Sequence, residues 1–388
     1  DLGIWSLDAP LHFWINDAAM VLFFFVVGLE IKREAVIGEL SDPRRVIVPI
    51  VAAMGGMLAP ALIFTAIVLS SGGEGGGGWG IPLATDIAFA VGVLTVVGSR
   101  VPFGLRVMLL ALAIVDDIGG IIVIAIFYTS DLSFEALGIL AGVLVVIYAC
   151  RQSGIWYLPL YFLLGAVAWA ATVESGIHPT ITGVMLGLLA PWKAWYHEQG
   201  FVDAAQQQLT RFRDATASHD EEYAHEQKTY ALRSLTSLTT RAIAPLDRLE
   251  HELQPLVAFV IVPIFAFANA GVSLSLDTLS DAVVAPVSLG VFFGLLVGKP
   301  LGIVAATWLV VRAGATLPTG VKWPGVIGIG ILGGIGFTVS LLITELSFDE
   351  EALLTDAKLG ILAASLLAGV IGFVVLKLVY PASRSQDE

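Results

Sequence analysis

The feature that most constrains this chain is a series of apolar runs, each long enough to cross a lipid bilayer. A transmembrane helix needs roughly 20 mainly apolar residues, and runs of that length recur between positions 18 and 376. We count about eleven of them by this criterion. Hydrophobic residues make up 57% of the chain and charged residues only 14%, which is atypical of soluble domains. The pattern predicts an all-α polytopic membrane protein.

The basic residues indicate how these spans are oriented, because cytoplasmic loops of membrane proteins are enriched in Lys and Arg. They fall in alternate breaks between the runs, while the intervening breaks hold mainly acids and glycines. The basic positions are Lys32, Arg33, Arg44, Arg45, Arg100, Arg106, Arg151, Arg312 and Lys322, followed by Lys377 and Arg384 near the end. This distribution predicts a cytoplasmic C-terminus and a first span that starts outside. Because such a start usually needs a preceding segment and the chain begins with Asp1, we expect a further helix upstream.

One long polar interruption divides the chain. Residues 192–254 are rich in Gln, Glu, His, Thr and Arg and contain no run apolar enough to cross a membrane. We therefore predict a cytoplasmic insert over 192–254, between a first part of the membrane domain at 1–191 and a second part at 255–388.

Two short apolar segments, one in each part of the membrane domain, resemble each other. They are GIPLATDIAFAVG from Gly80 and IGILGGIGFTVS from Ile329, and their alignment places Phe89 opposite Phe337. Both contain residues that interrupt helices, namely Pro82 with Thr85 and Asp86 in the first and Gly333, Gly334 and Gly336 in the second. Paired interrupted spans are typical of transporters built from an inverted repeat. The segments predict such a fold, with two discontinuous helices.

Four charged residues lie near the middle of apolar runs, where each one costs several kcal/mol unless it has a partner or a function. They are Asp86, Asp116, Asp117 and Lys299. Adjacent helical residues point about 100° apart, so one of the two neighbouring aspartates is expected to pair with Lys299 and the other to face a water-filled pocket with Asp86. Static ion pairing explains this set poorly, because three acids face one lysine.

The unpaired carboxylates suit an exchange of protons for a hard cation. Such a cation prefers oxygen ligands, and carboxylates, the Thr85 hydroxyl and backbone carbonyls released near Pro82 supply them. Two other classes remain open at this point. An intramembrane aspartyl protease also needs two aspartates on neighbouring spans, although its usual Tyr-Asp and Gly-x-Gly-Asp motifs are missing here. A sodium-coupled solute symporter would need more buried polar groups than the sequence shows, with Asn269 as one candidate.

Several long motifs, in order along the chain, resemble those of the bacterial NhaA-type sodium/proton antiporters. They are WINDAAMVLFFFVVGLEIKRE from Trp14, IPLATDIAFAVG from Ile81, ALAIVDDIGG from Ala111, VPIFAFANAGVSL from Val262, GKPLGI from Gly298 and GGIGFT from Gly333. They cover nearly the whole chain except the insert. The resemblance implies a secondary active transporter rather than an enzyme, without a cofactor, that exports Na⁺ or Li⁺ electrogenically in exchange for protons.

The resemblance also implies roles for particular residues. Asp86 and Asp117 would form the sodium and proton site, with Thr85 at the helix break, while Asp116 would pair with Lys299. The family fold has twelve helices, two of them discontinuous and crossing at mid-membrane, usually in a homodimer. It is found in the bacterial inner (plasma) membrane, where it serves sodium and pH homeostasis.

A cytoplasmic cluster that senses pH is a further property of the family. The matching positions here are Glu30, Arg33, Glu34, Glu250 and His251. The chain departs from the family pattern in two respects, because Gln254 stands where many relatives have a second histidine and because its insert is longer. The alternative for Glu250 and His251 is that they are solvated surface groups.

Overall fold

The structure, a computed structural model, describes residues 10–41, 43–98, 100–129, 132–155, 157–193, 198–217, 220–272, 280 and 282–381. Throughout these residues the regular structure is helical, without a β-strand. Arg384, one of the residues behind the topology prediction, lies outside the described ranges. The predicted all-α class is confirmed.

The helices follow one another with mostly short connections, and two 3₁₀ segments, Glu39–Ser41 and Gly76–Leu83, lie among them. In chain order they are α1 (Leu11–Val36), α2 (Pro43–Ser70), α3 (Ile87–Val97), α4 (Phe103–Phe127), α5 (Phe134–Gln152), α6 (Leu158–Ser175), α7 (Thr180–Leu189), α8 (Glu198–Ala217), α9 (Glu221–Ala242), α10 (Pro245–Asn269), α11 (Pro286–Arg312), α12 (Trp323–Leu332), α13 (Phe337–Ser347) and α14 (Glu351–Val379).

Most of these helices are long and apolar enough to cross a membrane. Eight segments within the described residues meet that condition, and α12 with α13, bent by 46° at their junction, form a ninth. Two shorter apolar helices, α6 and α7, fall below the length of a full span. The sequence predicted about eleven spans, and the described residues supply eight, or nine with the bent pair.

The helices pack mainly within two groups. The first, called here the α1 bundle, contains α1, α5, α6, α7 and α10. The second, the α2 bundle, contains α2, the 3₁₀ segment Gly76–Leu83, α3, α4 and α11 to α14. The groups meet where α1 lies against α4 and where α10 lies against α13. Most side chains between α1 and α4 are apolar, with Val27 and Ile31 next to Ile114, and Glu30 of α1 is close enough to Asp117 of α4 for its charge to act there. The fold therefore offers a mainly apolar boundary between two bodies.

The polar insert forms two helices that pack against each other, α8 and α9. Helix α10 begins at Pro245 and continues without a break to Asn269. The last residues of the predicted insert, up to position 254, are therefore the first turns of this long helix. The cytoplasmic location of the insert stays a prediction.

The closest helix packing in the α2 bundle lies between α2 and α11, where two glycines meet. A Cβ atom added to Gly302 would lie 2.0 Å from the Gly55 carbonyl oxygen, and one added to Gly55 would lie 2.4 Å from the Gly302 carbonyl oxygen. Small residues that let helix backbones approach in this way drive helix association in membranes. This contact fixes α11, which carries Lys299, against the long helix α2.

We expect Gly302→Ala to lower the thermal melting temperature of the detergent-purified protein, because the added methyl group forces α2 and α11 apart. Overpacking of this kind costs about 1–3 kcal/mol. Gly142→Ala on α5 is the matched control, because a Cβ there meets nothing within 4 Å. Equal melting temperatures for the two variants would contradict the glycine contact.

Candidate ion-binding site

The first interrupted segment changes its conformation at three buried residues. The 3₁₀ segment Gly76–Leu83, which contains Pro82, ends just before the non-helical residues 84–86, and α3 begins at Ile87. Asp86 is the N-cap of α3, with its Oδ1 accepting a hydrogen bond from the Phe89 N–H at 3.2 Å. An Asp side chain is a preferred cap because it satisfies an N–H that the helix leaves unpaired. A carboxylate within the first break therefore caps the helix that follows it.

The second interrupted segment breaks at residues 333–336, between α12 and α13. Gly334 is required by close packing, because a Cβ atom there would lie 2.5 Å from the Leu295 carbonyl oxygen. Ser365 of α14 accepts hydrogen bonds from the backbone N–H groups of Gly336 (3.2 Å) and Phe337 (3.3 Å). Neighbouring side chains thus satisfy the N-terminus of α13.

The two breaks contact each other through Asp86. Its backbone N–H donates to the Ile335 carbonyl oxygen at 2.6 Å, and its Oδ2 accepts from the Thr338 N–H at 3.1 Å and from the Thr338 hydroxyl at 2.6 Å. One carboxylate therefore caps α3 and also bonds to the first turn of α13. Since helix N-termini carry partial positive charge, an anion at their meeting point is favourable.

Beside this contact lies a buried ion pair. Lys299 of α11 and Asp116 of α4 are both 0% exposed and are joined through Lys299 Nζ and Asp116 Oδ2. Lys299 follows directly after a π-helical turn, Gly294–Gly298, a feature frequent at functional sites.

The Thr85 hydroxyl contacts both members of this ion pair. It lies 3.0 Å from Lys299 Nζ, 2.7 Å from Asp116 Oδ2 and 2.9 Å from the Gly333 carbonyl oxygen. Since lysine only donates, the hydroxyl oxygen accepts from Nζ and its single proton points to one of the two acceptors. Thr85 therefore links both breaks to the Lys299–Asp116 pair.

Asp117 is the remaining buried acid of the site. It is 5% exposed, and its Oδ1 has no hydrogen-bond partner among the described residues. Asp86 and Asp116 lie near enough for their charges to act on it. A buried carboxylate without a compensating partner is costly and is stabilised by a proton or a cation.

The structure thus brings together the residues predicted for the site. Thr85, Asp86, Asp116, Asp117 and Lys299 lie around the two breaks, and Phe89 contacts Phe337 with ring centroids 5.1 Å apart. Among the described residues, no three His, Cys, Asp or Glu side chains form a metal-ion cluster. A cation here would therefore need hydroxyl or carbonyl oxygens besides the carboxylates. The roles of these residues stay predictions.

The residues predicted to sense pH are only partly grouped. Arg33 pairs with Glu250, which is 5% exposed, and lies 3.6 Å from Glu34. Glu30 is close enough to both Glu250 and Asp117 for its charge to act on each. His251 is exposed, and this favours the alternative of a solvated surface group for that residue. A sensing role for the cluster stays a prediction.

Thr338 is the residue that the sequence prediction missed. It supplies two of the three hydrogen bonds to the Asp86 carboxylate. Its position in the GGIGFT motif, directly after the glycine break, was a usable signal, because donors in the first turn of a helix are free to bind an anion.

Buried charges at the junction of two interrupted helices, within a bundle of membrane-spanning helices, define a multi-pass membrane transporter. Comparison with known families then gives a specific assignment. The family model described as "Na+/H+ antiporter 1" matches residues 1–376. The chain belongs to this Na⁺/H⁺ antiporter family.

Individual relatives match almost the whole chain. The protein named Na(+)/H(+) antiporter NhaA 2 of Sorangium cellulosum is 46% identical over 388 residues, which cover 99% of this chain and 82% of the relative. The Na(+)/H(+) antiporter NhaA of Oleidesulfovibrio alaskensis is 45% identical over 97% of this chain and 83% of the relative. The protein of the same name from Bacteroides fragilis (strain ATCC 25285) is 42% identical over 96% of this chain and 84% of the relative.

We expect Lys299→Ala to lower the free energy of unfolding by about 3–5 kcal/mol, because it leaves the Asp116 carboxylate buried without a charged partner. Lys299→Ala combined with Asp116→Asn removes both charges, so its loss should be smaller than that of Lys299→Ala alone. Thermal melting at one pH, for the two single variants and the double variant, measures the coupling. Additive losses would show that the two groups are not paired.

We expect Thr338→Val to lower the free energy of unfolding by about 1.5–3 kcal/mol, because a hydrogen bond to a buried charged group is lost. Thr338→Ser keeps the hydroxyl and should retain most of that stability. Melting of both variants in the Asp86→Asn background provides the control, since the difference between them should shrink there. An unchanged difference would argue against the bond to Asp86.

Proposed function

We propose that this chain is a secondary active antiporter that exports cytoplasmic Na⁺ or Li⁺ in exchange for protons across the bacterial inner membrane. The observation that carries this proposal is the state of Asp117. Its Oδ1 is buried without a hydrogen-bond partner in the described part of the chain, as is Asp116 Oδ1, but only Asp116 forms an ion pair with Lys299. A proton and a sodium ion satisfy the same unpaired carboxylate, and their competition for it couples the two fluxes.

The hydrogen bonds favour unequal roles for the two proposed ligands. Asp86 accepts three bonds from Phe89 and Thr338, and a carboxylate has about four acceptor positions. Asp117 therefore provides the main exchange site, and Asp86 adds its remaining acceptor position while it holds the two breaks together. The hydroxyl of Thr85 and the carbonyl groups of residues 333–336 are candidates for further oxygen ligands.

The remaining features of the proposal follow from the family and from the charge distribution. The chain works as a homodimer embedded in lipid, with its C-terminus in the cytoplasm. Its cycle carries more protons than sodium ions, so transport is electrogenic and responds to the membrane potential. It needs no cofactor, because the chemistry consists of binding and release at oxygen ligands.

The test is proton flux in proteoliposomes, followed with a pH-sensitive dye on addition of Na⁺. Asp117→Asn should abolish the sodium-dependent signal, because a neutral amide neither carries the proton nor attracts the cation. Asp349→Asn, at an exposed position between α13 and α14, is the matched control and should keep the signal. Equal signals from both variants would refute the site assignment.

Competition also predicts a pH dependence with a definite sign. Protons occupy Asp117 at low pH, so the apparent KM for sodium should rise as pH falls, by up to about tenfold per pH unit if one proton competes. The measurement is the initial rate against sodium concentration at equal pH on both sides of the vesicle. An apparent KM that does not change with pH would exclude a shared site.

A further inference from the structure

A second polar cluster lies at the end of α1 opposite the Arg33–Glu250 pair. His12 Nε2 lies 2.9 Å from Asn16 Nδ2, 3.2 Å from Asn269 Oδ1 and 3.5 Å from Glu345 Oε2. From His12 to Arg33, α1 rises about 30 Å at 1.5 Å per residue, so the two clusters are a membrane thickness apart. The basic-residue distribution places the His12 cluster outside.

The His12–Glu345 contact joins the two helix bundles. His12 lies on α1 of the α1 bundle and Glu345 on α13 of the α2 bundle. The hydrogen bonds and ion pairs described above, including Arg33 with Glu250 and Lys299 with Asp116, each stay within one bundle. The α1–α4 boundary is lined mainly by apolar side chains, apart from Glu30 of α1, which faces Asp117 of α4 closely enough for its charge to act on it. Since both of those groups are acids, they do not attract each other, whereas His12 and Glu345 can form an attractive polar link between the two bundles.

The groups around His12 position Glu345 so that one of its oxygens faces the imidazole. Lys358 of α14 contacts Glu345 Oε1 at 2.7 Å, leaving Oε2 toward His12. On α1 itself the Asp17 carboxylate is near enough for the His12 charge to act on it, and Asp17 lies 3.4 Å from His178 Nε2, before α7. From α10 the facing group is the neutral Asn269 amide. The Lys358 contact lies within the α2 bundle, so it holds Glu345 whatever the charge of His12.

Asn16 and Asn269 flank the imidazole in both charge states. The neutral Nε2 accepts from the Asn16 amide N–H, and protonation of Nε2 exchanges that bond for donation toward the Asn269 and Glu345 oxygens. The two asparagine side chains exchange two hydrogen bonds, at 2.7 Å and 3.0 Å, and both are buried, at 5% and 0% exposure. The His12 side chain itself is 53% exposed. Solvent protons therefore reach the ring although a buried pair flanks it.

We propose that His12 is an external proton-binding site whose protonation holds the α1 bundle against the α2 bundle through an ion pair with Glu345. Histidine changes its charge in the physiological range. The protonated ring forms an ion pair with Glu345 across the boundary, while the neutral ring lacks that attraction and leaves the bundles free to move. Transporters of this kind alternate access by moving one bundle against the other, so the site slows exchange when the outside is acidic. This inference rests on the proposed antiport function.

The structural test measures the contact without transport. In a Cys150→Ser background, spin labels at Leu11→Cys and Asp349→Cys, both exposed positions, report the distance between α1 and the end of α13. We expect a narrow distance distribution at pH 5.5 and a broader, longer one at pH 8. With His12→Gln added, the distribution at both pH values should match that of the unsubstituted pair at pH 8. A pH response that persists in His12→Gln would overturn the proposal.

The transport test compares variants at the same pH. A partly exposed ion pair shifts an equilibrium by about two- to fivefold, so the rate of ²²Na⁺ exchange in His12→Gln should exceed the wild-type rate by that factor at external pH 5.5 and equal it at pH 8. Glu345→Gln should give the same pattern, and the two substitutions together should add nothing further. His225→Gln, an exposed histidine on α9, should leave the rates unchanged.

The two proposals fail in different ways. A wild-type protein without sodium-dependent flux would refute the antiport function, whereas an active wild type whose rate ratio to His12→Gln is the same at both pH values would refute only the external site. The distance measurement separates the two further, because it requires no transport.

Discussion

The arrangement of the site depends on one carboxylate that serves two helices. Asp86 caps α3 and accepts two hydrogen bonds from Thr338 in the first turn of α13. Interrupted helices expose backbone groups that would be costly in an apolar environment, and this carboxylate accepts from one such N–H group at each break, those of Phe89 and Thr338. Thr85, adjacent to Asp86, then lies against Lys299 and Asp116. The junction therefore brings the buried ion pair next to both breaks.

The charges divide into a compensated set and an uncompensated one. Lys299 neutralises Asp116 and the helix N-termini favour Asp86, so Asp117 is left without a compensating charge. Its Oδ1, like that of Asp116, lacks a hydrogen-bond partner in the described chain. Neutralising every acid would produce a static core. Leaving one acid unpaired gives the protein a position that protons and sodium ions occupy in turn, as we propose.

Much of this could be predicted from the sequence because it depends on local features. Apolar runs show the helices, Pro82 and the glycines from Gly333 mark the breaks, and three acids against one lysine show that a charge stays uncompensated. The family motifs then assign Lys299 to Asp116.

Other features depend on how distant segments pack, and no local pattern specifies that. These features are the hydrogen bonds from Thr338, the start of α10 at Pro245 and the contact of His12 with Glu345. The exposed His251 was matched to the family by position alone, and position does not determine which face of a helix a residue occupies. A crossing of the two interrupted helices at mid-membrane stays a prediction.

Helices α1 and α10 are fastened to each other at both ends, by Arg33 with Glu250 at one end and by Asn16 with Asn269 at the other. These two attachments are separated by about 25–28 Å along the helices. Two rods joined at two distant points resist twisting and shearing far better than rods joined at one. Sliding or twisting of one helix against the other would break at least one of these attachments, so we expect α1 and α10 to move as one rigid pair.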